Sequence, residues 1–253
     1  MNEIADGDLI NAEYDVQSVD TTEVLVILST ERSGSTFLCE QLAAIDYCYA
    51  HEYFQHYQYL QILARRWDFM DGERINWKRF GQALRTHRTA PNGVLGINVH
   101  GYQLDWFQQV DFTDLPVRYI HVVRNDIIGQ ALSYDRAIQT GQWSSLYPKN
   151  GDYYYSFDST LNALHYLQRQ SARVSAFINA NNLNVDVITF ENIISDPISA
   201  IRTVTGLDDF EERLSKYRSS MIRQQKQSQY REIFSKSYLK ESITQSYIKR
   251  DYR

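Results

Sequence analysis

The sequence predicts an α/β protein with a mostly parallel central sheet flanked by helices. Four short runs rich in Val and Ile, each bounded by polar or turn residues, read as buried strands. Amphipathic helical patterns separate them, and strands alternating with helices imply a parallel sheet covered on both faces. A length of 253 residues fits one large domain, or a domain with a helical extension.

An acidic leader comes first. Residues 1–20 contain Glu3, Asp6, Asp8, Glu13, Asp15 and Asp20 and no Lys or Arg. That charge is the opposite of a secretory signal, and the segment reads as frayed. The first strand is 23–29 (EVLVILS), followed by a helix with Phe37, Leu38, Leu42 and Ile45 on one face. The second strand is 94–99 (VLGINV) and the third is 117–123 (VRYIHVV). A helix after the third carries Ile127, Ile128, Ala131, Leu132 and Ile138 on its apolar face. Residues 147–156 (YPKNGDYYYS) have the chemistry of a surface loop. Leu161, Leu164, His165, Phe177 and Ile178 fit one long amphipathic helix before the fourth strand, 185–190 (VDVITF). Asp196-Pro197 opens a further helix, with Pro at an early helical position.

Residues 21–253 therefore read as a single domain ending in a helical, basic segment. From 211 to 253 there are eleven Lys or Arg against five Asp or Glu. This tail is either a solvated helical surface or a cover over an anionic ligand, and composition does not choose.

A hydrophobic share of 43% is enough for a core, and 23% charged residues do not suggest disorder. No apolar run reaches the roughly 18 residues of a membrane-spanning helix. Cys39 and Cys48, the two cysteines, form neither a disulfide framework nor zinc-site spacing, and a reducing cytoplasmic compartment is expected. With six histidines, they make no recognised metal-ligand motif, so no metal site is expected. The net charge of −5 argues against a general nucleic-acid binder. A homo-oligomer remains open.

The most informative local sequence is STERSGSTFL, residues 29–38, which leaves a buried strand and opens a helix. Such a turn points unpaired backbone N–H groups outward at a positive dipole end. Gly34 allows close backbone approach, Ser33, Ser35 and Thr36 add hydroxyls, and Arg32 adds a fixed charge. Together they suit a phosphate or sulfate group. The same letters also fit a capped helix start without ligand, with Ser33 or Ser35 as the cap. The loop lacks G-x-x-x-x-G-K-[ST], so an ordinary P-loop NTPase is disfavoured. Arg124 ends the third strand, at the edge where α/β sheets bind ligands, and Ser133 follows on the next helix. Gln130, Arg136, Gln139 and Trp143 follow at near-helical spacing, either lining a site or forming a polar helix surface.

RSGSTFL (32–38), EYFQ (52–55), PNGV (91–94) with Gly96, and RNDIIGQALSYDRAIQTGQW (124–143) occur in one order. In this the chain resembles sulfotransferases that use 3′-phosphoadenosine-5′-phosphosulfate (PAPS). It is more closely similar to the bacterial family whose type member is the mycobacterial trehalose 2-sulfotransferase. The blocks span about half the chain. The resemblance implies a P-loop-like sulfotransferase fold and transfer of a sulfuryl group from PAPS to a hydroxyl of a carbohydrate or glycolipid. The transfer would be in-line and metal-independent, with 3′-phosphoadenosine-5′-phosphate (PAP) as product. It implies that residues 32–36 hold the 5′-phosphosulfate, with Arg32 also stabilising developing charge. It implies that Arg124 and Ser133 hold the 3′-phosphate, and that Glu52 is the base that deprotonates the acceptor. His51 and His56 are the backup proton acceptors, and Arg223-Gln224 would lie in a lid near the 3′-phosphate.

The chain departs from the family in places. Glu31 stands where the family commonly has Gln, which repels an anionic donor unless the carboxylate turns outward or pairs. Residues 96–101 (GINVHG) replace a segment with lysine and tryptophan, which puts the acceptor's identity in doubt. Two alternatives stay open: a small-molecule kinase on a related fold, and a non-catalytic nucleotide-binding relative.

Overall fold

A computed structural model of the chain describes residues 5–17, 19–56, 58–144, 146–216 and 228–248. Within it the chain divides into two compact units, one of Met1–Asn125 with Arg169–Ser220 and one of Asp126–Gln168 with Met221–Arg253.

The first unit is built on β1 (Glu23–Ser29), α1 (Ser35–Ala44), α2 (Tyr59–Trp67) and a two-stranded antiparallel ribbon of β2 (Met70–Asp71) and β3 (Arg74–Ile75). It continues with α3 (Trp77–Arg88), β4 (Val94–His100), α4 (Leu104–Phe107) and β5 (Val117–Val123). The second unit holds α5 (Ile127–Thr140) and the first half of α6 (Phe157–Ala180). The second half of α6, then β6 (Val185–Thr189), α7 (Phe190–Ser195), α8 (Pro197–Thr205) and α9 (Glu211–Lys216) return to the first unit. The second unit closes with α10 (Ser228–Ile248). Arg223 and Gln224, the expected lid pair, lie outside the described residues.

The sheet runs β4-β1-β5-β6, and every pairing is parallel. All four strands form where the apolar runs place them. The fourth ends at Thr189 rather than Phe190, because the Thr189 side chain accepts from the Asn192 N–H and caps α7. As expected, Asp196 caps α8 and Pro197 opens it. Strand alternation divides the core of this unit. Leu25 and Ile27 pack with Leu38 and Leu42 of α1 and Ile201 and Val204 of α8. Val24, Val26 and Leu28 pack on the opposite face with Phe54, Phe80, Phe107 and Val174. The parallel register sets Ile27 beside Asn98 and Ser29 beside His100. The C-terminal ends of β1 and β4 therefore finish level, and their last polar residues share one edge.

The acidic leader is not frayed over its described part. Asp8, Leu9 and Ile10 are buried. The Arg88 guanidinium, 0% exposed, donates to the carbonyls of Leu9 (2.7 Å), Ile10 (3.1 Å) and Asn11 (3.1 Å). It also pairs with Asp15 at 2.8 Å. A buried cation needs several acceptors, and the leader supplies them. Composition misleads here because the acids do not mark solvation; one of them neutralises Arg88.

In the second unit, α5 turns the face read as apolar partly outward. Ile127 and Ile138 are 49% and 57% exposed. The buried side instead carries Gln130, Ala131, Leu132, Ser133, Asp135, Ala137 and Thr140. Asp135 explains the choice. Its carboxylate accepts from Gln139 Nε2 (3.1 Å), Tyr153 OH (3.1 Å) and Thr160 Oγ1 (3.3 Å), and from Ser159 Oγ. A buried carboxylate must face its donors, and apart from Gln139 of α5 itself these come from the 147–156 loop and the start of α6. Gln139 also exchanges hydrogen bonds with the backbone of Tyr154. Burial beside Asp135 raises the Tyr153 phenol. Gln139 and Arg136, whose guanidinium lies 4.8 Å from the Tyr153 ring centre, thus hold the loop against α5. Trp143 packs edge-on against Tyr134.

Candidate active site

The site gathers at the C-terminal edge of the sheet, where β1, β4 and β5 end. The chain leaves β1 through residues 30–34 and enters α1 at Ser35. Arg32 and Gly34 both take left-handed backbone conformations, with φ of 60° and 90°. A left-handed arginine is strained, and such strain concentrates at ligand sites. In α3, α5, α7 and α8 a first-turn N–H donates to a capping side chain, whereas α1 starts on Gly34 with no capping side chain. The first N–H groups of α1 are thus left to another acceptor, at the positive end of the helix dipole. Ser33 is fully buried and its Oγ has no hydrogen-bond partner among the described residues. Ser35 is buried and Thr36 is exposed. This arrangement fits a tetrahedral anion better than it fits the capped helix start that the sequence left open.

Gly34 has a second constraint. A Cβ there would lie 2.6 Å from Cδ2 of Phe190, the first residue of α7. Gly34→Ala should combine this clash with the left-handed penalty of at least ~1–2 kcal/mol. At about 2–4 °C per kcal/mol, thermal unfolding should fall by several degrees. Gly151, also left-handed but with open space around it, should cost less when changed to Ala. Equal losses would remove the Phe190 contact from the account.

Arg124 leaves β5 with its guanidinium 4.3 Å from the centre of the Phe190 ring. Its Nη1 donates to the Arg32 carbonyl at 3.2 Å. The two expected anion-binding arginines are therefore brought together. Burial, then the charge of Arg124, lowers the Arg32 pKa to about 10, while Glu52 opposes the shift. Arg32 stays cationic at neutral pH, and it feels both Arg124 and Glu52. Ser133 is buried on α5 in the second unit. Glu31 is buried and does not turn outward.

Glu52 is placed by a one-residue extension of the sheet. His51 forms a parallel bridge with Ile97, and its carbonyl accepts from the Asn98 N–H at 2.9 Å. The segment crosses close over β4, where a Cβ on Gly96 would lie 2.6 Å from Cys48 Sγ and 2.8 Å from Ala50 Cβ. Tyr53 and Phe54 then enter the core, and Phe54 packs edge-on against Phe80 and Phe107. Gln55 Oε1 accepts from the N–H groups of Gln58 and Tyr59 at the start of α2. Glu52 is left partly exposed between His100 and Gln103. Its Oε2 accepts from Gln103 Nε2 at 3.0 Å. The same oxygen is 3.2 Å from His100 Nδ1, an ion-pair distance without hydrogen-bond alignment.

His100 joins this carboxylate to the start of α1. Its Nε2 lies 3.4 Å from Ser35 Oγ, which accepts from Asn98 Nδ2 at 3.2 Å. Ser29 Oγ in turn donates to Asn98 Oδ1 at 3.0 Å. Ser35 keeps its own hydrogen for His100 or for a bound oxygen. Asn98, His100 and Gln103 were not singled out as site residues in the sequence. The signal was present as two polar residues, Asn98 and His100, inside an otherwise apolar strand that is buried along its length.

The backup acceptors are otherwise engaged. His51 uses both ring nitrogens, Nε2 at 2.9 Å from Asp8 Oδ1 and Nδ1 accepting from the Glu52 N–H at 2.6 Å. His56 packs against Trp106 with ring centres 4.4 Å apart, and burial lowers its pKa. Among the described residues, no three His, Cys, Asp or Glu side chains cluster as a metal site, and no helix is long and apolar enough to cross a membrane.

A family model described as Stf0 sulphotransferase matches residues 24–116 and 113–236. Two solved structures are similar. The sulfotransferase domain from the Synechococcus PCC 7002 olefin synthase is 17% identical, with a TM-score of 0.48 over 79% of this chain and 78% of that one. The sulfotransferase domain from the curacin biosynthetic pathway is 14% identical, with a TM-score of 0.47 over 80% of this chain and 81% of that one. No curated protein matches the chain.

Proposed function

Because the chain belongs to the Stf0 sulphotransferase family, we propose that it moves the sulfuryl group of PAPS to a hydroxyl of a carbohydrate or glycolipid. The observation that carries this reading is the path from Ser35 of the phosphate loop through His100 to Glu52. We read Ser35 as part of an anion cradle and Glu52 as a carboxylate base, on either side of one imidazole. An in-line transfer needs both at one point.

Arg32, Ser33, Gly34, Ser35 and Thr36 hold the 5′-phosphosulfate, with the α1 N–H groups as further donors. Arg124, steadied on Phe190, is assigned to the 3′-phosphate. Glu52 takes the acceptor's hydroxyl proton, the acceptor oxygen attacks sulfur, and the bridging bond to the leaving phosphate oxygen breaks. Arg32 stabilises the charge that develops on that oxygen and on the sulfuryl oxygens. Gln103 orients Glu52 by donating to Oε2. The sugar acceptor rests on the resemblance to the trehalose 2-sulfotransferase family, which the RSGSTFL, EYFQ, PNGV and RNDIIGQALSYDRAIQTGQW blocks carry together. We further assign residues 21–253 to one P-loop-like sulfotransferase domain acting in the cytoplasm.

Donor recognition tests this reading. PAP should raise the melting temperature far more than ADP, since only PAP carries the 3′-phosphate assigned to Arg124. At 100 times its Kd, a ligand adds about 2.7 kcal/mol of stability. Arg124→Ala should remove most of the difference. Equal shifts with PAP and ADP would overturn the assignment and favour a kinase.

A further inference from the structure

We propose that Asp8, in the N-terminal leader, is a positioning residue for Glu52 and acts through the tautomer of His51. The proposal rests on Glu52 being the base. His51 Nδ1 accepts from the Glu52 N–H at 2.6 Å, so this nitrogen carries no hydrogen. The hydrogen sits on Nε2 and is donated to Asp8 Oδ1 at 2.9 Å. A neutral imidazole has one donor and one acceptor, and the carboxylate fixes which is which. With Asp8 absent, the other tautomer would set an N–H against the N–H of Glu52.

Asp8 is itself fixed. Its Oδ1 accepts from the Ile10 N–H at 3.0 Å, and its Oδ2 accepts from Tyr59 OH at 3.3 Å. The Tyr59 ring meets the His51 ring edge-on, with centres 4.7 Å apart. The Arg88 contacts to Leu9, Ile10 and Asn11 anchor the residues that follow. On its other side, the His51 carbonyl is held by the N–H groups of Asn98 and Tyr53, both at 2.9 Å. The imidazole thus connects a docked leader to the backbone of Glu52, whose carboxylate is held by Gln103. Partners that orient metal ligands through such a hydrogen bond typically carry about 10–100-fold of affinity or activity, and a loss of that order is expected for Asp8.

The test uses the full-length chain with Asp8→Ala and Asp8→Asn, each alone and combined with Glu52→Gln. Histidine ¹⁵N shifts, assigned by loss of one signal in His51→Gln, read the tautomer. Wild type should show the Nε2–H form, and Asp8→Ala should show a mixture. Its kcat should fall about tenfold, with KM for PAPS within about twofold. In the Glu52→Gln background Asp8→Ala should have no further effect on kcat, because the group it positions is gone. If Asp8→Ala does not fold, Asp8→Asn, of equal size, should give a smaller loss of the same kind. An unchanged tautomer, or an equal loss in both backgrounds, would overturn the proposal and leave Glu52 as base. Full turnover by Glu52→Gln alone would remove the base itself, and this proposal with it.

Discussion

Glu52→Gln should lower kcat by about 10²–10⁴-fold, the usual scale for losing a general base. PAP affinity should stay nearly unchanged. Glutamine keeps the size of the side chain and an oxygen that accepts from Gln103 Nε2, so the local packing survives. What it lacks is the ability to take a proton. The split between turnover and donor affinity is therefore the signature to measure, by steady-state kinetics beside PAP titration. Near wild-type kcat would move the base elsewhere. His100 would then be the better candidate, because it lies between Ser35 and Glu52. His51 would be a poor one, since both its nitrogens are engaged with Asp8 and the Glu52 backbone.

Arg32→Ala should have the opposite profile, weakening donor binding and turnover together. A fixed donor aimed at developing charge is worth about 10²–10³-fold in kcat. Arg32 bears a cost in the folded protein, from burial and from the charge of Arg124. An anionic donor would offset the same cost, which is a physical reason for two arginines to share one sheet edge. A variant that binds PAP normally would show that the loop N–H groups hold the phosphosulfate without this guanidinium.

The parts of the fold that were legible are those written as periodic patterns. The runs EVLVILS and VLGINV became β1 and β4 because a buried parallel strand favours near-continuous apolar residues, and VRYIHVV became β5 with Ile120 and Val122 as its buried positions. The loop after β1 was legible because glycine and small hydroxyl residues between a strand and a helix have a narrow set of uses. The remainder depended on tertiary partners. Asn98 and His100 look like blemishes in a strand until the register sets them beside Ser29 and the loop. The leader looks solvated until Arg88 is seen buried against its carbonyls. The inner face of α5 follows from Asp135 and its donors, which lie 18 to 25 residues away along the chain. No local periodicity carries that information.

The central claim is transfer of a sulfuryl group from PAPS to a hydroxyl. It is tested most directly by supplying isotopically labelled PAPS with a panel of sugars and glycolipids in EDTA and reading product masses. The account predicts one labelled sulfuryl group on a neutral carbohydrate, formed without added metal because Arg32, Arg124 and the loop N–H groups provide the positive field. Transfer lost in EDTA and restored by Mg²⁺ would contradict the role given to the arginines. No labelled product from any hydroxyl compound, with phosphoryl transfer from ATP in its place, would contradict the claim itself.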